Sequence, residues 1–171
     1  MNTLTYVFRK LAAALVLSLG ILLPQAHAAA EVYTLNGVAE DGPLAGGLYS
    51  GQFAFDRALL SGIGDESLML DWIDLEVFGQ RFDATVMAAA PTASFFDGSL
   101  LGIDLVYDDG LNGFAFVSGF FSLGDAYFAY QSPLGEGFGS VAIAPVPEPS
   151  QVLMLLAGLG LVGGMVRRRA A

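Results

Sequence analysis

The stretch LYSGQFAFD, Leu48 to Asp56, alternates strictly: Tyr49, Gly51, Phe53 and Phe55 share one face, and Ser50, Gln52, Ala54 and Asp56 share the other. A period of two is that of a half-buried β-strand. Similar runs recur as VYTLNGV, SLMLDWIDLEVFG, QRFDATVM, TASFFDG, LLGIDLVYDD, GFAFVSGFFSLG, DAYFAYQ and GSVAIA, rich in Val, Ile, Phe and Tyr and punctuated by Gly, Asp, Asn and Pro. They follow one another at a spacing of roughly ten residues, with no apolar-helical stretch between them. That organisation predicts an all-β domain, an antiparallel β-sandwich-like meander rather than βαβ units. In LDWIDLEVFG the pattern turns Ile73, Leu75 and Val77 to the core and Trp72, Asp74 and Glu76 to solvent. Met87 to Pro91, MAAAP, is the one place where a short helical turn is expected. The echo between GQFAFD and GFAFVSG reflects two strands with the same alternation, not a repeat of fixed length.

Both ends of the chain break this pattern. At the start, Arg9 and Lys10 precede an apolar run from Leu11 to Leu23, Pro24 breaks it, and Ala26-His27-Ala28 gives the small-x-small pattern that signal peptidase accepts. The run is too short to span a bilayer comfortably, which takes about 20 residues. Residues 1–28 are therefore expected to be a signal helix cleaved after Ala28, leaving an acidic ectodomain over 29–144.

Loss of the signal removes the only histidine, His27, and the only lysine, Lys10. Between Ala29 and Pro145 two basic residues, Arg57 and Arg81, face sixteen acids, a formal charge of −14. Such a surface cannot neutralise many phosphates, so nucleic acid is excluded as a partner, and anionic headgroups repel it. Divalent cations or cationic groups on polysaccharide are the electrostatically matched company. The chain has no cysteine, so no disulfide framework holds it, and about 117 residues suffice for one domain with its own core.

Without histidine, cysteine or lysine, this domain lacks the residue types of Ser-His-Asp and Cys-His triads, Schiff bases and His-ligated zinc. Catalytic residues are therefore expected to be none, with one carboxylate-pair route left open. Glycoside hydrolysis runs on two Asp or Glu residues, and Asp71, Asp74 and Glu76 beside Trp72, whose ring can stack on a sugar, are the candidates. Alternating acids on a strand are also what a solvated face looks like, and the pattern favours that reading. A second cluster, DLVYDDGLNG, places Asp104, Asp108, Asp109 and Asn112 around Gly110 and Gly113. Oxygen-rich side chains around a glycine turn suit calcium, the one cofactor to be weighed. The spacing is not that of the twelve-residue calcium loop, however, and Asp-Asp-Gly is equally an ordinary hairpin turn. Gly135, Gly137 and Gly139 in GEGFG precede no helix that could present amides to a phosphate, and read as a flexible approach to the last strand.

At the other end Pro145, Pro147 and Pro149 predict an extended, stiff linker over 145–150. Residues 151–171 follow as a short transmembrane segment and basic tail. Fifteen residues from Val152 to Val166 make a helix of only about 22 Å, against a hydrocarbon core of about 30 Å. Gly160 and Gly164 provide a GxxxG spacing for helix packing. Arg167, Arg168 and Arg169 fix the C-terminus on the cytoplasmic side.

Val146-Pro147-Glu148-Pro149, the short Gly-containing span and the arginine cluster together resemble the PEP-CTERM sorting signal, the tag of exosortase substrates. The resemblance covers roughly the last 26 residues. It implies recognition by exosortase, a membrane cysteine transpeptidase-like enzyme of Gram-negative bacteria, cleavage near Pro-Glu-Pro, and delivery to the outer surface, often where exopolysaccharide is made. The chain lacks the Leu-Pro-x-Thr-Gly of Gram-positive sortase substrates. SGQFAFD is similar to the Gly-x-Phe-x-(Tyr/Phe)-Asp strand of the β-rich domains that precede such tails. The expectation is a non-enzymatic exported surface or matrix protein of a biofilm, with a carbohydrate- or calcium-binding module as the alternative and a carboxylate-pair glycosidase third. Its partners would be signal peptidase, exosortase, the membrane before processing, and exopolysaccharide.

Overall fold

The computed structural model describes residues 30–147 and 155–159. The signal segment 1–28 lies outside the described residues, as does the C-terminal segment apart from a helical stretch at 155–159. No helix among the described residues is long and apolar enough to cross a membrane.

Ten strands account for most of the domain: β1 (Glu31–Ala39), β2 (Leu48–Phe55), β3 (Asp65–Met69), β4 (Trp72–Val77), β5 (Gln80–Asp83), β6 (Thr92–Phe96), β7 (Ser99–Asp108), β8 (Gly113–Val117), β9 (Tyr127–Ser132) and β10 (Gly135–Pro145). All pairings are antiparallel, and the strands form a single sheet in the order β3-β6-β7-β8-β9-β10-β1-β2-β4-β5. The all-β antiparallel expectation holds, but two separate sheets give way to one that curls over itself as a half-barrel.

Chain geometry forces the curl. β3 and β4 stand first and ninth in the sheet, yet only Leu70 and Asp71 join them. Eight gaps of about 4.8 Å would put these strands about 38 Å apart in a flat sheet, whereas three Cα steps span at most about 11 Å. The two ends of the sheet are thus brought together. The crossing is abrupt: the Leu70 amide donates to Pro91 O (3.0 Å) beside β6, and the next amide, of Asp71, donates to Ala54 O (2.8 Å) on β2. The run SLMLDWIDLEVFG therefore splits into two strands with different partners.

The enclosed face is aromatic. Tyr49 of β2 stacks on Phe128 of β9 with ring centroids 4.1 Å apart and meets Phe116 of β8 edge-on at 5.5 Å. Phe55 of β2 meets Phe95 of β6 at 5.1 Å, and Phe82 of β5 packs on Tyr107 and Phe114 at 4.7 and 4.9 Å. Contacts across the interior are thus those of a sandwich, although the hydrogen bonding is that of one sheet. Among the described residues no polar or charged residue is buried.

GEGFG is part of β10 itself, which corrects the expectation of a flexible approach. Gly137 and Gly139 face inward where rings from other strands cross them. A Cβ on Gly139 would lie 2.2 Å from Val38 O and 2.7 Å from the Tyr49 hydroxyl, and one on Gly137 would lie 2.5 Å from the Tyr130 hydroxyl. Tyr130 then donates to Asp41 O (2.8 Å) and accepts from the Leu44 amide (2.9 Å), and Tyr49 donates to Ser140 O. Small residues here let the sheet close on its tyrosines.

Pro145 is the last residue of β10, opposite Tyr33. The next amide, Val146 N–H, donates to Val32 O at 2.8 Å, so the missing proline N–H points away from β1. On that side β9 pairs only as far as Ser140, and the proline removes no ladder bond. Met87–Pro91 forms no helical turn, which corrects that expectation; 3-10 turns lie at Arg57–Leu59, Ala84–Val86 and Leu123–Asp125, the second capped by Asp83, whose Oδ1 accepts from the Thr85 amide (2.8 Å). Both sheet edges are short and charged, β3 with Asp65 and Glu66 and β5 with Arg81 and Asp83, which discourages further pairing.

Candidate functional site

The outer face of β4 carries the first predicted group. Ile73, Leu75 and Val77 are buried while Trp72, Asp74 and Glu76 are exposed, Trp72 at 39%. Register places Asp74 between Gln52 of β2 and Asp83 of β5, and Glu76 between Ser50 and Arg81. Trp72, Asp74 and Glu76, with Ser50, Gln52 and Arg81, line a shallow open depression. Asp83 faces a like charge but turns to Thr85, accepting from its amide and its hydroxyl, and those hydrogen bonds hold its pKa below the usual carboxylate range. Among the described residues one ion pair is formed, Arg57 with Glu31 at 3.4 Å. Asp71 sits at the break between β3 and β4, also exposed. An aromatic face flanked by polar groups on both sides suits a sugar ring. Asp74 and Glu76 are exposed on the outside of the curl.

The second predicted group is not brought together. Asp108 ends β7 and Asp109 follows it in the hairpin to β8, where they bind the turn's own amides: Asp108 Oδ1 accepts from Gly110 (2.7 Å), and Asp109 Oδ1 accepts from Leu111 (2.9 Å) and Asn112 (2.7 Å). Those backbone bonds, that from Asn112 first, hold the Asp109 carboxyl below its ordinary pKa. Asp104 is occupied elsewhere, accepting from the Ser94 hydroxyl (2.6 Å) and from the Ser118 amide and hydroxyl (both 3.0 Å). Among the described residues no group of three or more His, Cys, Asp or Glu gathers to hold a metal.

A hollow of about 330 Å³ on the outer face of β7, β8 and β9 was not visible in the sequence; Val106, Asp108, Gln131 and Glu136 flank it. Its floor is the cross-strand pair Ala115–Ala129. Alanines are common in the chain, and only the register shows that these two small side chains meet.

The third predicted group is the tail. The described residues reach Pro147, so Val146 and Pro147 of the sorting motif are seen leaving the sheet. Glu148, Pro149, Arg167, Arg168 and Arg169, and the cleavage residues Ala26 and Ala28, lie outside the described residues. Fold and tail together define an exported β-domain placed directly ahead of a C-terminal address. Residues 145–169 match the family model of the PEP-CTERM protein-sorting motif. No curated protein and no solved structure matches the chain. The chain thus carries a PEP-CTERM signal, which sends it through the membrane to the cell surface or exterior and implies processing by exosortase.

Proposed function

We propose that this chain is a non-enzymatic surface or extracellular-matrix protein, delivered by exosortase processing and associated there with exopolysaccharide in a biofilm. The observation that carries the reading is the junction at Pro145–Val146: the folded sheet ends where the matched motif begins. Cleavage just beyond it would release an intact β-domain. The charge of −14 over 29–145 and the absence there of histidine, cysteine and lysine support a structural or binding role over catalysis. Deleting the exosortase should leave an uncut, membrane-retained form; equal surface delivery without the enzyme would overturn the proposal.

The exposed Trp72 beside Gln52, Asp74, Glu76 and Arg81 supports a second reading, a carbohydrate-binding module. Titration calorimetry with an oligosaccharide panel, with and without calcium, tests it. Absence of heat, together with no rise in melting temperature, would remove this option.

A further inference from the structure

The end of the half-barrel from which the tail leaves is built unlike a solvated rim. Arg57, just after β2, donates to Gly98 O in the β6–β7 turn (2.8 Å) and pairs with Glu31 at the start of β1. Gly64 and Asp97 exchange hydrogen bonds, from Gly64 N to Asp97 Oδ1 (2.8 Å) and from Asp97 N to Gly64 O (3.0 Å). These contacts gather the 56–64 loop, the 97–98 turn and the β1 start beside the exit at Val146. The β8–β9 loop descends to the same end, since the Gly119 amide donates to Leu101 O (2.8 Å) on the lower part of β7.

On this rim the loop tips are apolar. Phe120 and Phe121 are 82% and 84% exposed, and Leu59, Ile63 and Phe96 are exposed as well. Three of the four exposed phenylalanines among the described residues lie here. Two of the acids nearby turn to the loops' own backbone, Glu66 accepting from Ser61 and Gly62 (both 2.7 Å) and Asp125 from Phe121 (3.1 Å) and Ser122 (2.9 Å), while Asp65, opposite Phe96, is exposed. The tips are thereby held in place with these backbone donors already satisfied, as a surface entering a low-dielectric layer requires.

We propose that this rim rests in the interfacial layer of the bilayer that holds the C-terminal segment, so the uncut protein lies against the membrane with its Pro-Glu-Pro segment at a fixed height. The proposal rests on the sorting reading above. Chain length selects the occupant. Six residues, Val146 to Gln151, separate β10 from the apolar run and reach at most about 22 Å, so a seated tail holds the rim within that distance of the bilayer. Apolar faces that lie on membranes sink about 5–10 Å into the headgroup boundary. With a net charge of −14 the domain gains no electrostatic attraction to lipid, so the contact depends on the tail and is lost on cleavage.

The chain has no cysteine, so single labels are unambiguous. Full-length Ile63→Cys, Phe121→Cys and, at the opposite end, Leu111→Cys would each carry an environment-sensitive nitrobenzoxadiazole dye and be reconstituted in phosphatidylcholine vesicles. Flotation reports insertion of the tail. The expected result is flotation of all three, with blue-shifted emission quenched by brominated lipid at positions 63 and 121 but not at 111. Flotation with all three dyes responding alike would overturn the docking alone, and failure to float would overturn the insertion beneath it. A concentration-dependent shift without vesicles would assign the rim instead to a second copy of the chain.

Discussion

Gly139→Ala is expected to destabilise the domain by about 2.5 kcal/mol. The new methyl would lie 2.2 Å from Val38 O and 2.7 Å from the Tyr49 hydroxyl, against an ordinary contact of about 3.5 Å or more. Val38 is held in the β1–β10 ladder, and Tyr49 is 1% exposed and stacked on Phe128, so neither can yield cheaply. Overpacking of this kind costs about 1–3 kcal/mol, and an immovable backbone oxygen puts the site at or above the upper end. Reduced freedom of the unfolded chain returns about 0.5 kcal/mol. Unfolding entropy of about 2.1 cal/mol/K per residue over about 117 residues is about 0.25 kcal/mol/K, so the melting temperature should fall by about 10 °C. Circular dichroism melts of the purified protein read this directly. Gly124→Ala is the control, because its methyl would meet nothing closer than Ser122 Oγ at 3.5 Å. A Gly139→Ala protein melting within about 2 °C of wild type would refute the close-approach reasoning and restore the flexible one.

Phe128→Ala, at 0% exposure among five other rings, should cost about 3–5 kcal/mol, whereas Phe138→Ala, at 52% exposure on the same hairpin, should cost under about 1 kcal/mol; urea titration separates them. Trp72→Ala should leave the melting temperature nearly unchanged while removing any calorimetric response to oligosaccharide. Glu66 and Asp109 are held by backbone amides below their ordinary pKa values. Stability from these depressed carboxyls is present at neutral pH and lost as pH falls through their folded values, so melts of Asp109→Asn should show a shallower acid decline than wild type. Burial raises the Tyr49 pKa above its ordinary 10.0, so its contribution is complete below pH 10 and declines as pH rises beyond, and Tyr49→Phe should flatten that alkaline loss.

Alternation within a strand is a local property, and Trp72–Val77 shows it: the sequence separates its buried and exposed side chains correctly because each depends only on its neighbours. Pairing between strands is not local. Nothing in SLMLDWIDLEVFG says that its two halves join opposite ends of one sheet, and so a sandwich was the natural expectation. Glycine is ambiguous for the same reason. In GEGFG it signals mobility until Tyr49 and Tyr130, from other strands, are seen lying across it. Asp104 stands four residues before Asp108 in the sequence, but its partners are Ser94 and Ser118, ten and fourteen residues away. The address was the most legible part of the chain, since a linear tag is read as residues in order, and the match at 145–169 depends on no tertiary contact.

The central claim is that the tail is an exosortase substrate that hands an intact β-domain to the outside. Intact-mass measurement of the protein recovered from the cell surface or medium tests it most directly, in cells with and without the exosortase. The account predicts a chain beginning near Ala29 and ending near Pro-Glu-Pro in the first case, and a membrane-bound chain still carrying Arg167, Arg168 and Arg169 in the second. Surface-delivered protein with its arginine tail intact in both would contradict it.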